Sequence, residues 1–210
     1  MPQGYSLQMA ELKHPSNRIR ILLGGGIASG KSVAGGRLAH HGVTVVEADR
    51  LGHSVLEADG EAFELVSERW HSVVDNQRID RRALAEIVFS DPGQLAELAA
   101  MTHPPIVRRI NEFASMESDL VVEIPLILDV PGDWMRVIVD ADENLRVRRG
   151  IERGGNEADV RRRMASQPDC AEWMAWADEI IDNNGSVDDL NKQVDDLWDE
   201  LVSKRHGRQS

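Results

Sequence analysis

Residues 19–32 read IRILLGGGIASGKS, an apolar run that passes through a glycine-rich turn into Lys31 and Ser32. This stretch constrains the fold more than any other, because Gly25-x4-Gly30-Lys31-Ser32 belongs between a strand and a helix. Both flanks are present. The run at 19–23 is β-branched and unalternated, as in a strand buried on both faces. Residues 31–41 carry a helical pattern and stop at Gly42, a suitable terminator. Glycines let the backbone curl so that successive N–H groups point inward, and the helix amino end adds positive potential. Such a loop cradles the phosphates of a nucleoside triphosphate. Lys31 reaches the β and γ phosphates, and the Ser32 hydroxyl is placed to ligate magnesium. The candidate nucleotide contacts are Gly25, Gly26, Ile27, Ala28, Ser29, Gly30, Lys31, Ser32 and Val33, with ATP or GTP and Mg2+ as the ligands.

Four further apolar segments, at 43–46, 120–124, 136–139 and, more weakly, 179–181, read as strands. The stretches between them are mostly helical in pattern, and strand–helix alternation implies a parallel sheet sandwiched between helices. The expectation is a three-layer α/β fold with a five-stranded parallel sheet. Two stretches interrupt the alternation. Between the second and third strands no strand pattern appears; residues 59–70, 80–89, 94–101 and 106–116 read as helices, with SDPG and THPP as breaks. An all-helical insertion there can clasp a second substrate. Residues 145–175 are helical and arginine-laden, interrupted at Gly154-Gly155 and Pro168, and look like a hinged flap. Residues 187–202 close the domain, and the polar 203–210 are expected to fray. The segmentation is an extension at 1–17, a nucleotide core at 18–57, 117–145 and 176–204, a helical second-substrate domain at 58–116, and a lid at 146–175.

The chain has 210 residues, enough for one sizeable core. Its formal net charge of -12 argues against a nucleic-acid binder, which shows a basic surplus. Any anionic ligand must then be held by a local cationic cluster. No apolar run approaches the roughly 20 residues of a membrane span, and residues 1–18 lack the features of a signal peptide. A lone cysteine, Cys170, cannot form an internal disulfide and fits a reducing cytosol, so a cytoplasmic location is expected. The histidines show no metal-ligand spacing. No interface pattern stands out; the oligomeric state stays open, a monomer being the simplest reading.

VVEADRLG puts Asp49 just past the second strand, at the sheet edge where parallel strands hold their ligands, beside the phosphate loop. A carboxylate there can accept a proton from an attacking hydroxyl, help hold magnesium, or simply cap a helix. Asp49-x-x-Gly52 also mimics a GTPase switch, but Asn191-Lys192-Gln193-Val194 fails the Asn-Lys-x-Asp pattern that reads guanine. The flap carries Arg146, Arg148, Arg149, Arg153, Arg161, Arg162 and Arg163. Arginine forks onto phosphate oxygens and can stabilise a transferring phosphoryl group. Arg149 and Arg153 are four apart and share one helix face. Most of the seven are expected to pair with neighbouring glutamates, leaving two or three for phosphate. A flap closed over the nucleotide would exclude water, the competing acceptor. Glu123, ending the third strand, is either a magnesium-organising or a structural carboxylate. The tryptophans at 70, 134, 173, 176 and 198 sit among core-like neighbours and read as packing.

With LGGGIASGKS, VVEADRLGHSVLE, IDRRALAEIVFSDPGQLAELAAMTHPPI, IPLILD, RRGIER and ADEIIDNNGS in order from Arg18 to about Leu201, the chain resembles the dephospho-CoA kinases. The Asp-Arg-x-x-Leu…Val-Phe…His-Pro block is the discriminating part, since many families share the phosphate loop. The resemblance implies ATP-dependent phosphorylation of the dephospho-CoA 3′-hydroxyl, the last step of CoA biosynthesis, on a nucleotide core with a helical CoA-side domain and a lid. It implies Asp49 as the base for the ribose hydroxyl, and Lys31 and Ser32 for the ATP phosphates and magnesium, which Asp49 can also approach. It further implies Arg149 and Arg153 as lid arginines, Asn183 near the adenine, and Arg81, His103 and Pro104 in the region receiving dephospho-CoA.

Some residues depart from the family's usual pattern. Ala28 stands for a glycine, so either its φ is negative or it carries strain. Glu47 replaces an aspartate, Asp129 a glutamate and Arg146 a glutamine, while Cys170 and Trp173 take flap positions where basic residues are common. Two other readings remain at this stage. One is a related kinase acting on another nucleoside or small alcohol. The other is a non-catalytic, nucleotide-responsive binding protein, against which the intact Lys31, Ser32 and Asp49 speak.

Overall fold

Residues 18–207 are described by the structure, a computed structural model. The extension expected over 1–17 and the last three residues of the polar carboxyl end lie outside them. In chain order, β1 (Arg20–Gly24) leads into α1 (Lys31–His40), β2 (Thr44–Glu47) and α2 (Ala48–Ser54). The insertion follows, with α3 (Phe63–Arg69), a hairpin of β3 (Val74–Asp75) and β4 (Arg78–Ile79), α4 (Arg81–Val88) and α5 (Pro92–Met116). The chain returns to the sheet as β5 (Leu120–Glu123) and β6 (Met135–Asp140). Three helices come next, α6 (Glu143–Glu152), α7 (Glu157–Ala165) and α8 (Cys170–Trp176), before β7 (Glu179–Asp182) and α9 (Val187–Gly207) close the fold.

The five long strands form one parallel sheet in the order β2-β5-β1-β6-β7. Central β1 is buried along its whole length, as its run of β-branched and leucine side chains requires. Alternate strand residues face opposite layers. Ile21, Leu23, Val121, Val137 and Val139 pack beneath α1 and α9, against Ala34, Leu38, Leu190, Val194 and Trp198. Leu22, Leu120, Val122, Ile124 and Ile138 pack on the opposite side against the end of α2, the insertion and α8, through Val55, Val66, Ile106, Ile110 and Trp173. This is the expected three-layer α/β fold. Arg20 enters β1 as a buried cation, donating to the carbonyls of Ala114 at 2.6 Å, Glu117 at 2.8 Å and Ser118 at 3.0 Å. It thereby satisfies the end of α5 and ties the insertion to the central strand.

The insertion differs from expectation in two respects. THPP does not break the chain: α5 runs unbroken for 25 residues through Pro104 and Pro105. Each proline removes one N–H from the helical ladder. Packing outweighs that loss, since Thr102, Pro105, Ile106 and Ile110 are buried along α5 and the Thr102 hydroxyl donates to the Leu98 carbonyl at 2.8 Å. SDPG is a true boundary, with Asp91 capping α5 by accepting the Gly93 N–H at 2.8 Å and Pro92 in the first helical position. The second difference is the β3–β4 hairpin in a region expected to be all helical. Its turn places Asn76 and Gln77 at φ 47° and 59°. Gln77 at a position that ordinarily carries glycine hid the signal. At the carboxyl end, residues 203–207 continue α9 rather than fray; Arg205 there pairs with Asp119 at 3.0 Å.

Candidate active site

The strands' carboxyl ends converge on the loop that leaves β1. Gly30, the N-cap of α1, has φ 111° and abuts the Asn183 side chain, so conformation and space both demand glycine there. Ala28 takes the strained alternative, at φ 58° with its methyl buried. The loop nonetheless keeps its curve. The N–H groups of Gly30, Lys31 and Ser32 donate to no group among the described residues, as a phosphate cradle requires. Lys31 Nζ donates to the Gly25 carbonyl at 2.7 Å. Burial lowers the Lys31 pKa, while the nearby charges of Glu123 and Asp49 raise it and that of Arg146 lowers it further.

Ser32 Oγ donates to Glu123 Oε2 at 3.2 Å. Glu123 ends β5 in register with Glu47 at the end of β2. Burial holds its carboxyl above the usual range, against the pull of the Ser32 hydrogen bond and the Lys31 charge. Asp49 is exposed in the first turn of α2, near enough for its charge to act on both Lys31 and Glu123. Among the described residues no group of three histidine, cysteine or carboxylate side chains forms a metal cage. A hydroxyl and one or two carboxylates beside a phosphate cradle suit magnesium, which keeps its waters and binds through few protein ligands plus phosphate oxygens.

The segment expected as a lid lies against the loop. Arg146 Nε donates to the Ile27 carbonyl at 3.0 Å, and its guanidinium fills the space where a side chain at Gly26 would sit. Arg149 Nη2 donates to the Asn183 carbonyl at 3.0 Å. Arg153, at the end of α6, is exposed; its backbone N–H donates to the Arg149 carbonyl at 3.3 Å, and its guanidinium makes no hydrogen bond among the described residues. Arg161 pairs with Glu143 and Glu157, and Arg162 with Asp159, as a solvated face should. Asn183 is buried behind the loop, its Nδ2 donating to the Ser29 carbonyl at 2.6 Å. Trp173 packs its ring against Gly24. Three buried side-chain polar atoms have no partner among the described residues, Ser29 Oγ, Arg149 Nη1 and Trp173 Nε1, and they belong to the loop and to two residues packed round it. Buried polar groups are ordinarily paired, so this concentration marks the place as built for a polar ligand.

A cleft of about 330 Å³ opens beside the loop, between α2, α4, α5 and the segment after β5. Asp49, Arg81 and His103 all line it, with Leu84, Val88, Leu98 and Ile106 as an apolar wall. Half-burial pushes the His103 imidazole below its ordinary pKa and so favours its neutral form. Pro104 is not brought into this cleft. It is exposed in a separate groove with Glu61 and Arg108, because neighbouring helix positions point about 100° apart. Sequence reasoning gave Arg146 no place in the site, although it lies three positions before Arg149 and so shares its helix face. It also passed over Gln167, which sits in a polar turn without any pattern.

The family profile described as dephospho-CoA kinase matches residues 19–189. The dephospho-CoA kinase of Thermobifida fusca is 35% identical over 199 residues, covering 90% of this chain and 100% of the relative. Among solved structures, TT1252 from Thermus thermophilus superposes with a TM-score of 0.72 at 31% identity, over 87% of this chain and 98% of its own. The dephospho-CoA kinase from Campylobacter jejuni gives 0.64 at 25% identity, over 90% and 98%. With matches of this extent laid over a phosphate loop, an aspartate and a cleft in one place, the chain belongs to the dephospho-CoA kinase family.

Proposed function

We propose that this protein transfers the γ-phosphoryl group of ATP to the 3′-hydroxyl of dephospho-CoA, giving CoA in the last step of its biosynthesis. Asp49 carries the reading, because it lines the cleft and also acts electrostatically on Lys31 and Glu123 at the loop. A ribose hydroxyl presented from the cleft meets a carboxylate able to orient it and take its proton as the oxygen attacks. Arg81 and His103 offer polar contacts within the cleft, and its apolar wall suits the methyl and methylene groups of a pantetheine arm. Lys31, the loop N–H groups, Arg146 and Arg149 hold the phosphates and stabilise the charge that spreads over the moving group. Magnesium, held by Ser32 with Asp49 and Glu123 beside it, would supply further charge neutralisation at the phosphates. The lid seated on Ile27 keeps water, the rival acceptor, away from the γ-phosphate. A cytosolic setting, compatible with one unpaired cysteine, completes the reading.

The test is ADP release measured with ATP and magnesium, with and without dephospho-CoA, alongside a panel of nucleosides and small alcohols. Release should depend on dephospho-CoA and match CoA formed mole for mole. Comparable release with another alcohol, or binding of ATP without turnover on any acceptor, would overturn the proposal.

A further inference from the structure

The β1–β5 ladder ends where the Ile124 N–H donates to the Leu23 carbonyl at 2.9 Å. Beyond it the two chains part: β1 runs into the phosphate loop, and β5 runs into Pro125, which has no N–H with which to continue. One side-chain amide bridges the gap. Gln167 Oε1 accepts the Ile27 N–H at 2.6 Å, and Gln167 Nε2 donates to the Pro125 carbonyl at 3.2 Å. The amide orientation is fixed by its partners, since a backbone N–H only donates and a carbonyl only accepts. Gln167 thus stands in for a peptide unit, joining residues 140 and 42 positions away in the chain.

Each contact matters by its location. Ile27 lies in the phosphate loop, and its carbonyl is held from the same lid by Arg146. Pro125, flanked by Ile124 and Leu126, lines the acceptor cleft. Gln167 lies in the turn between α7 and α8, within the segment read as the lid. We infer that Gln167 is a positioning residue that registers the acceptor wall against the phosphate loop when the lid seats. This rests on the kinase reading above. Phosphoryl transfer is sensitive to such placement, a misplacement of about 1 Å costing on the order of 10²-fold. The amide's oxygen and nitrogen hold a fixed separation that a shorter or apolar side chain cannot reproduce.

The experiment uses the full chain with Gln167→Met and Gln167→Glu. Methionine keeps the length and loses both bonds. Glutamate can still accept from Ile27 but cannot donate to Pro125. For Gln167→Met, CoA formation should slow by about tenfold or more, with more than one ADP released per CoA formed and a melting temperature close to that of the parent. Gln167→Glu should be uncoupled likewise, with a raised KM for ATP from its charge. Unchanged transfer, or a slowing that keeps one ADP per CoA and tracks lost stability, would overturn the inference. A second readout does not depend on the acceptor's identity. Binding of a non-hydrolysable ATP analogue should slow amide exchange in both the phosphate loop and residues 124–128 of the parent, but only in the loop of Gln167→Met. Equal protection of both segments in the two proteins would overturn the inference even if dephospho-CoA proved not to be the acceptor.

Discussion

Arg149 on α6 donates through Nη2 to the backbone carbonyl of Asn183 at 3.0 Å, behind the phosphate loop. Asn183 extends the chain of contacts, donating from Nδ2 to the Ser29 carbonyl at 2.6 Å and from its own N–H to the Asp140 carbonyl at 2.7 Å. Asn183 is 5% exposed, so water cannot easily replace these bonds. Asn183→Ala leaves the Ser29 carbonyl unpaired in the interior and should lower the unfolding free energy by about 1–3 kcal/mol. It should also raise the KM for ATP by letting the loop relax. In a cycle with Arg149→Ala, the two losses should fall short of additive, because Arg149 Nη2 also donates to Asn183 Oδ1 at 3.4 Å and either change removes that bond. Strict additivity in denaturant unfolding and in ATP binding would dissociate the lid from the back of the loop.

The arginines of the proposed lid separate by position. Arg146 lies on the loop with Nε bonded to Ile27, and its charge reaches Lys31. Arg153 is exposed at the end of α6. Two cations side by side repel, and an anion between them converts that cost into binding and transition-state stabilisation. Arg146→Ala removes both the charge and the bond to Ile27, and should therefore reduce kcat by roughly 10²-fold, the scale of losing one oxyanion donor. Arg153→Ala should have a much smaller effect. Steady-state kinetics of both variants decide it, and equal losses would give Arg153 the same weight as Arg146.

The fold was legible because its signals are local and physical. An unalternated β-branched run needs two covering layers, and β1, β5 and β6 obtain them. The phosphate loop and Asp49 were legible for the same reason, since a glycine turn between strand and helix admits few geometries. What stayed hidden depends on distant partners. Pro104 and Pro105 read as a break until the burial of Ile106 and Ile110 on one helix is known. The choice at Ala28, negative φ or strain, is settled by its neighbours in favour of φ 58°. Gln167 carries no pattern at all; its meaning lies in Ile27 and Pro125, which only the folded chain brings near.

Asp49 offers the most direct check on the chemistry. It is exposed and lies in the first turn of α2, so changing its charge disturbs little packing. Asp49→Asn keeps the shape and removes the base. Turnover should fall by roughly 10²–10⁴, the range for loss of a general base, with ATP affinity nearly unchanged. Equilibrium ATP binding and single-turnover transfer separate the two effects. Near-normal transfer would mean that another group, or the phosphate itself, takes the proton.

His103 makes a prediction about pH. Burial in the cleft lowers its pKa below the ordinary 6.5, so the folded state resists protonation that the unfolded chain accepts. As pH falls past the unfolded value, the unfolded state binds the proton first and gains relative to the folded one. The contribution of His103 to stability is thus fully present above about pH 6.5 and is lost as pH falls through the lowered folded value. His103→Gln fills much of the same space without titrating. Between pH 8 and 5 the melting temperature of the parent should drop further than that of the variant, other groups contributing alike to both. Parallel curves would show that the imidazole is solvated as freely in the folded protein as in the unfolded chain.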